Sequence, residues 1–108
     1  MRMTRPHQEV DIARKLRTIE WLKSELLEGV SLFFKALISS NGQAISKALA
    51  AIILTCYFLG RRLGLGFHQV DEEIEDQLQT HLAANHQLEK WYGDISAFLH
   101  YVEGKKHR

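Results

Sequence analysis

The stretch ALAAIILTCYFLGRRLGLG, residues 48–66, is the least polar part of the chain, and its reading decides the fold. Lys47 precedes it, and it closes on Arg61, Arg62 and a glycine-containing turn. Its uninterrupted apolar part, residues 48–60, falls short of the about 20 residues that cross a hydrocarbon core. Thr55 interrupts its centre, and charge brackets both ends. The sequence therefore predicts a core helix, apolar all round, in the middle of a bundle rather than in a membrane. Cys56, the only cysteine, is expected there as a buried, inert thiol, in keeping with a reducing, cytoplasmic setting.

The segments on either side also read as helical. On the N-terminal side, Ile12, Leu16, Ile19, Leu22, Leu26, Val30, Phe33 and Leu37 recur at steps of three and four. That spacing draws one apolar stripe along a long first helix, from a cap near Asp11 to about Ile38. Trp21, Leu27, Leu32 and Phe34 widen the stripe beyond what one neighbour can cover. Such breadth predicts a homodimer or a higher homo-oligomer. Ser39-Ser40-Asn41-Gly42 makes the turn into a second helix from about Ala44 to Leu63, with Gly64 just past its end. A third helix is expected to start at Val70 or Asp71, where DEEIED would load its first turns with negative charge as the helix dipole favours. A short fourth follows Asp94 as N-cap, with Ile95, Phe98, Leu99 and Val102 inward and Trp91 and Tyr92 packed at the corner before it. The expected domain runs over residues 11–103, between a flexible segment at 1–10 and a frayed tail at 104–108. The fold class is all-α, a bundle of about four helices.

Composition narrows the functional classes. A chain of 108 residues, 45% apolar and 25% charged, suits one globular domain. A net charge of +1 supplies no drive toward nucleic acid. A helix-turn-helix reader around LGLGFHQVDEEIEDQL fails because its recognition helix would be acidic. GRRLGLG lacks both the Lys-Ser/Thr pair and the preceding strand of a phosphate loop. The N-terminal MRMTRPHQEVDIARK has no apolar secretory core.

Glu25-Leu26-Leu27-Glu28 places two carboxylates on one side of the first helix. Paired with another such set on a facing helix, they would form a divalent-metal cage. Alone, the spacing is common on amphipathic helices. The order of SELLE on a long first helix, a glycine-containing turn, an apolar helix ending GRRLGLG and an acidic third helix resembles the MazG-like proteins. These belong to the all-α nucleoside triphosphate pyrophosphohydrolase superfamily. The resemblance runs over about residues 12–85, and NHQLEKWYGDISAFLHYVEG is similar to a smaller MazG-like subgroup. It implies that Ser24, Glu25 and Glu28 stand at the first-helix EExxE motif. Counting back from Gly60-Arg61-Arg62-Leu63-Gly64 implies that Ala48 and Ala51 stand where the family's ExxD carries its carboxylates. In the enzymes, both motifs hold Mg²⁺, which binds the triphosphate and helps activate water.

No Asp or Glu occurs between Glu28 and Asp71, so the second helix supplies no carboxylate in any register. The resemblance thus leaves Glu25 and Glu28 as the residual half of the metal site. Arg61, Arg62 and Lys47 are the candidate phosphate-binding cations, although arginines at a helix C-terminus also serve the dipole. His68, His81 and His86 lack metal-ligand spacing. The expected function is a MazG-like domain, catalytically impaired, acting as a nucleotide-binding or assembly module. One alternative is an active Mg²⁺-dependent pyrophosphohydrolase whose site is rebuilt from Glu25, Glu28 and the carboxylates of Asp71, Glu72, Glu73, Glu75 and Asp76. The other is a helical adaptor.

Overall fold

The computed structural model describes residues 6–106, with side chains from residue 8 onward. All regular structure among the described residues is helical: α1 (Pro6–Ser39), α2 (Gly42–Arg62), α3 (Phe67–Ala83), α4 (Gln87–Tyr92) and α5 (Asp94–Lys106). The all-α class is as the sequence predicts, with five helices in place of about four. Helix already covers residues 6–10 and 104–106, parts of the segments expected to be flexible or frayed. The remainder of those segments lies outside the described residues. The chain divides after Phe67 into two compact units.

In the first unit, α1 and α2 form an antiparallel hairpin across Ser40 and Asn41. The Asn41 side chain caps α2, accepting from the backbone N–H groups of Gln43 and Ala44 at 3.1 and 3.2 Å. At the far end, Gly64 adopts φ +95°. Its N–H donates to the Arg61 carbonyl and that of Leu65 to the Gly60 carbonyl, at 3.1 and 2.8 Å, the two hydrogen bonds of a Schellman motif. Gly29 meets Ile52 where the helices are closest: a Cβ there would stand 3.1 Å from Ile52 Cγ1. Leu22, Ala36 and Ala48 are the buried apolar side chains of this unit.

The expectation of an α2 buried on all sides is overturned. Only Ala48 and Gly60 of α2 are buried, and Leu49, Ile53, Leu54 and Phe58 are 41–55% exposed. Cys56 is exposed as well. At 21 residues, α2 is long and apolar enough to cross a membrane by length and composition, with 6% of its most apolar window buried. The apolar count of α2 identified the helix correctly, yet a two-helix hairpin covers only one stripe of it.

In the second unit, Ile95 and Leu99 of α5 form the buried core, with Ile74, Leu78 and Val102 half-buried. Phe98 stays 44% exposed, and Trp91 and Tyr92 are 67% and 71% exposed rather than packed at the corner. α3 begins at Phe67, a turn earlier than expected, so its first turn holds no acidic residue. The acidic run therefore lies inside the helix. Lys106 pairs with Glu75 at 2.6 Å, tying α5 to α3. The Ser96 hydroxyl and its backbone N–H both donate to Glu89, joining α4 to α5.

Candidate functional site

Helix geometry settles which residues share a side of the hairpin. Steps of three and four place Trp21, Glu25, Glu28, Leu32 and Lys35 along one edge of α1. The same steps place Ala44, Lys47, Ala48, Ala51, Thr55, Phe58 and Arg62 along one edge of α2. Two grooves join these edges. One, about 390 Å³, is lined by Gly29, Leu32, Lys35, Ala36, Ser39, Ala44, Lys47, Ala48 and Ala51. The other, about 300 Å³, is lined by Thr18, Trp21, Leu22, Phe58, Arg61, Arg62 and Phe67. Glu25 and Glu28 lie on this same side between the two. The close approach of Gly29 to Ile52 packs α2 along this part of α1, and α2 carries no Asp or Glu.

The arrangement gathers the sequence-derived positions onto one surface, with the roles the sequence suggested still distinct. Glu25 and Glu28 are exposed. Ser24, at the leading motif position, donates to the Glu20 carbonyl at 3.3 Å. Thr55 donates to the Ala51 carbonyl at 2.7 Å, so its proton is committed to its own helix. Ala48 is 7% exposed and packs into the hairpin. Mg²⁺ needs oxygen ligands in octahedral array. Two carboxylates from one helix, facing methyl groups, do not fit that demand. Among the described residues no group of three or more His, Cys, Asp and Glu side chains is placed to hold a metal ion.

The acidic run and the histidines belong to the second unit, where several have local roles. Glu75 holds Lys106, Glu73 accepts from Gln77 at 3.3 Å, and Glu72 stands 4.0 Å from His68. His81 and His86 stack edge to face at 4.8 Å between ring centres. His86 Nδ1 accepts the Leu88 N–H at 3.1 Å and so caps α4.

The cations fall at both ends of the hairpin surface. Lys47, with Lys35, lines the alanine groove, and Arg61 and Arg62 line the aromatic one. The Arg61 guanidinium lies 4.9 Å from the centre of the Phe67 ring. Phe67 in turn meets Tyr57 edge-on at 6.2 Å. Sequence reasoning missed the aromatic cluster, because Trp21 and Phe67 flank it from distant places in the chain. Phe58 and Arg62, one turn apart on α2, were its legible half.

The fold and this surface define a class: an all-α domain with a carboxylate pair on a long first helix beside an apolar second one. Within that class, the MazG-like family model matches residues 12–95, and the chain belongs to the MazG-like family. Membership relates it to the nucleoside triphosphate pyrophosphohydrolase superfamily. Searches among curated proteins and among solved structures returned no match.

Proposed function

We propose that this chain is a MazG-like assembly module, a cytoplasmic homodimer that does not carry out Mg²⁺-dependent pyrophosphohydrolysis. The observation that carries the absence of hydrolysis is that α2, packed along Glu25 and Glu28, carries no carboxylate, and no group of three potential metal ligands forms among the described residues. Splitting a triphosphate between its phosphates requires a metal to hold the charged chain and activate water, and half a cage binds that metal weakly. The test is incubation with mixed nucleoside triphosphates and Mg²⁺ or Mn²⁺, followed for monophosphate and pyrophosphate. The expected result is no release above the no-protein control. Release that Glu28→Gln abolishes would establish the alternative, an active enzyme with a rearranged site.

Support for assembly comes from the opposite side of the hairpin. Leu27, Val30, Phe34 and Leu37 of α1 and Leu49 and Ile53 of α2 share it by the same helical steps. Leu27 is 74% exposed and Phe34 58%. A contiguous apolar surface of this kind marks an interface. A second copy offers a matching surface through two-fold symmetry. The membrane is the poorer occupant. α2 lies along α1, so spanning would carry Glu20, Lys23, Glu25, Glu28 and Lys35 into hydrocarbon. Each such charge costs at least about 2.5–3.5 kcal/mol at the centre of the bilayer. Light scattering at micromolar concentration is expected to give a dimer mass. A clean monomer, or partition into detergent micelles, overturns the assembly.

A further inference from the structure

We propose that the basic N-terminal edge of α1 docks on the acidic face of α3 in a second copy of the chain. The contact rests on the homodimer of the proposed function and extends it beyond the apolar side of the hairpin. α2 ends at Arg62, which lines one groove with Thr18, Trp21 and Leu22 of α1. Residues 6–17 of α1 therefore run on past α2 for about 18 Å, at about 1.5 Å per residue. Every described side chain from Gln8 to Arg17 is exposed, with Val10, Ile12 and Leu16 at 52%, 56% and 59%. Helices draw most of their stability from packing one face, so this projection is a surface in want of a partner.

Charge selects the partner. Residues 1–67 hold ten Lys and Arg against five Asp and Glu, a formal +5. Residues 68–108 hold four against eight, a formal −4. On the projection, steps of three and four place Val10, Arg14, Arg17 and Trp21 along one edge, with no carboxylate among them. Among the described residues neither Arg14 nor Arg17 forms an ion pair. α3 offers the complement. It contains no Lys or Arg, and Glu72, Glu73 and Asp76 share an exposed face away from the half-buried Ile74 and Leu78. Glu72 stands 4.0 Å from His68 and Glu73 accepts from Gln77, so neither faces a fixed cation within its own helix. Glu75 is set apart, because it already holds Lys106. Guanidinium forks match carboxylate oxygens in paired geometry. Because one chain carries both halves, a two-fold pair makes the contact twice.

The test reverses the charges of each surface in the full chain, as Arg14→Glu/Arg17→Glu and as Glu72→Lys/Asp76→Lys. Either variant alone sets like charge against like at both contacts, whereas a heterodimer of the two restores opposite charge at both. Sedimentation equilibrium in about 50 mM salt, below the screening of physiological buffer, gives the dimer dissociation constants. Each variant alone should dimerise at least about tenfold more weakly than the native chain, and their equimolar mixture should recover to within about threefold. A variant that dimerises alone as tightly as the native chain overturns this contact and leaves the homodimer standing. A mixture no tighter than its parts overturns it too, because the arginines and carboxylates then do not meet between copies. A native chain that stays monomeric removes the homodimer, and this contact with it. All four substituted residues are exposed, and circular dichroism identifies a variant that unfolds. The native chain alone then decides: its constant should rise at least about threefold between about 50 and about 500 mM salt, and an unchanged constant overturns the contact.

Discussion

Gly29 and Ile52 approach so closely that a Cβ on the glycine would stand 3.1 Å from Ile52 Cγ1. Substitution there pits helix propensity against packing. Alanine improves propensity by about 1 kcal/mol while pressing on a side-chain carbon that can shift a few tenths of an ångström. Gly29→Ala should fall within about 1 kcal/mol of the native protein. Gly29→Val adds bulk that Ile52 cannot clear, and should cost about 1–3 kcal/mol. Thermal and urea melts measure both, and a Gly29→Val protein as stable as the native one would contradict this packing.

Restoring the missing carboxylates tests what their loss did. In Ala48→Glu/Ala51→Asp, the first substitution puts an acid where the native side chain is 7% exposed. Without metal that variant should melt below the native protein. With Mg²⁺ or Mn²⁺ at about 100 times the dissociation constant, it should regain about 2.7 kcal/mol by linkage. The native chain should not respond, and adding Glu28→Gln to the double variant should remove the gain. Melting curves with and without metal give the comparison.

Cys56 reports on the proposed interface. It is exposed in the single chain and lies on α2 one turn from Ile53, beside the apolar surface. If the proposed dimer forms, a thiol reagent should modify it slowly in the native protein and at least about tenfold faster in Ile53→Glu, which should elute as a monomer. Equal rates in the two proteins would place Cys56 outside any interface.

The link between α4 and α5 should weaken in acid. The Ser96 hydroxyl, and then its backbone N–H, hydrogen-bond the charged form of Glu89 and hold its carboxyl below the ordinary glutamate range. A lowered folded-state value means the stabilisation is complete above the unfolded value and is lost as pH falls through the folded one. Exchange protection of the Ser96 amide should therefore decline below about pH 4. Glu89→Gln should flatten that dependence.

The parts of the fold that were legible are those written into local pattern. Steps of three and four gave α1 and α2, Asn41-Gly42 their turn, and Gly64 the end of α2. The sequence places the start of α3 late because acidic residues suit a first turn, whereas four residues, Phe67-His68-Gln69-Val70, precede them in the helix. Burial was the larger error. Periodicity tells which way a side chain points from its own helix, and says nothing of how many neighbours are there to receive it. Cys56, Trp91 and Phe98 carry the residue types of a core and lie exposed. At the site, the gap opposite Glu25 and Glu28 could be read directly from the absence of acids, because an absence holds in every register. The aromatic groove could not, since Trp21 and Phe67 converge only through the hairpin.

The Ala48 and Ala51 edge has a consequence for how the hairpin closes. Four carboxylates facing one another across α1 and α2 would repel, and a divalent ion would be the clasp that lets the helices approach. With methyl groups on one side, nothing there must be neutralised before the helices meet. If the proposed function holds, closure of this hairpin should be indifferent to the supply of magnesium, and the folded protein should persist unchanged in a cell starved of it.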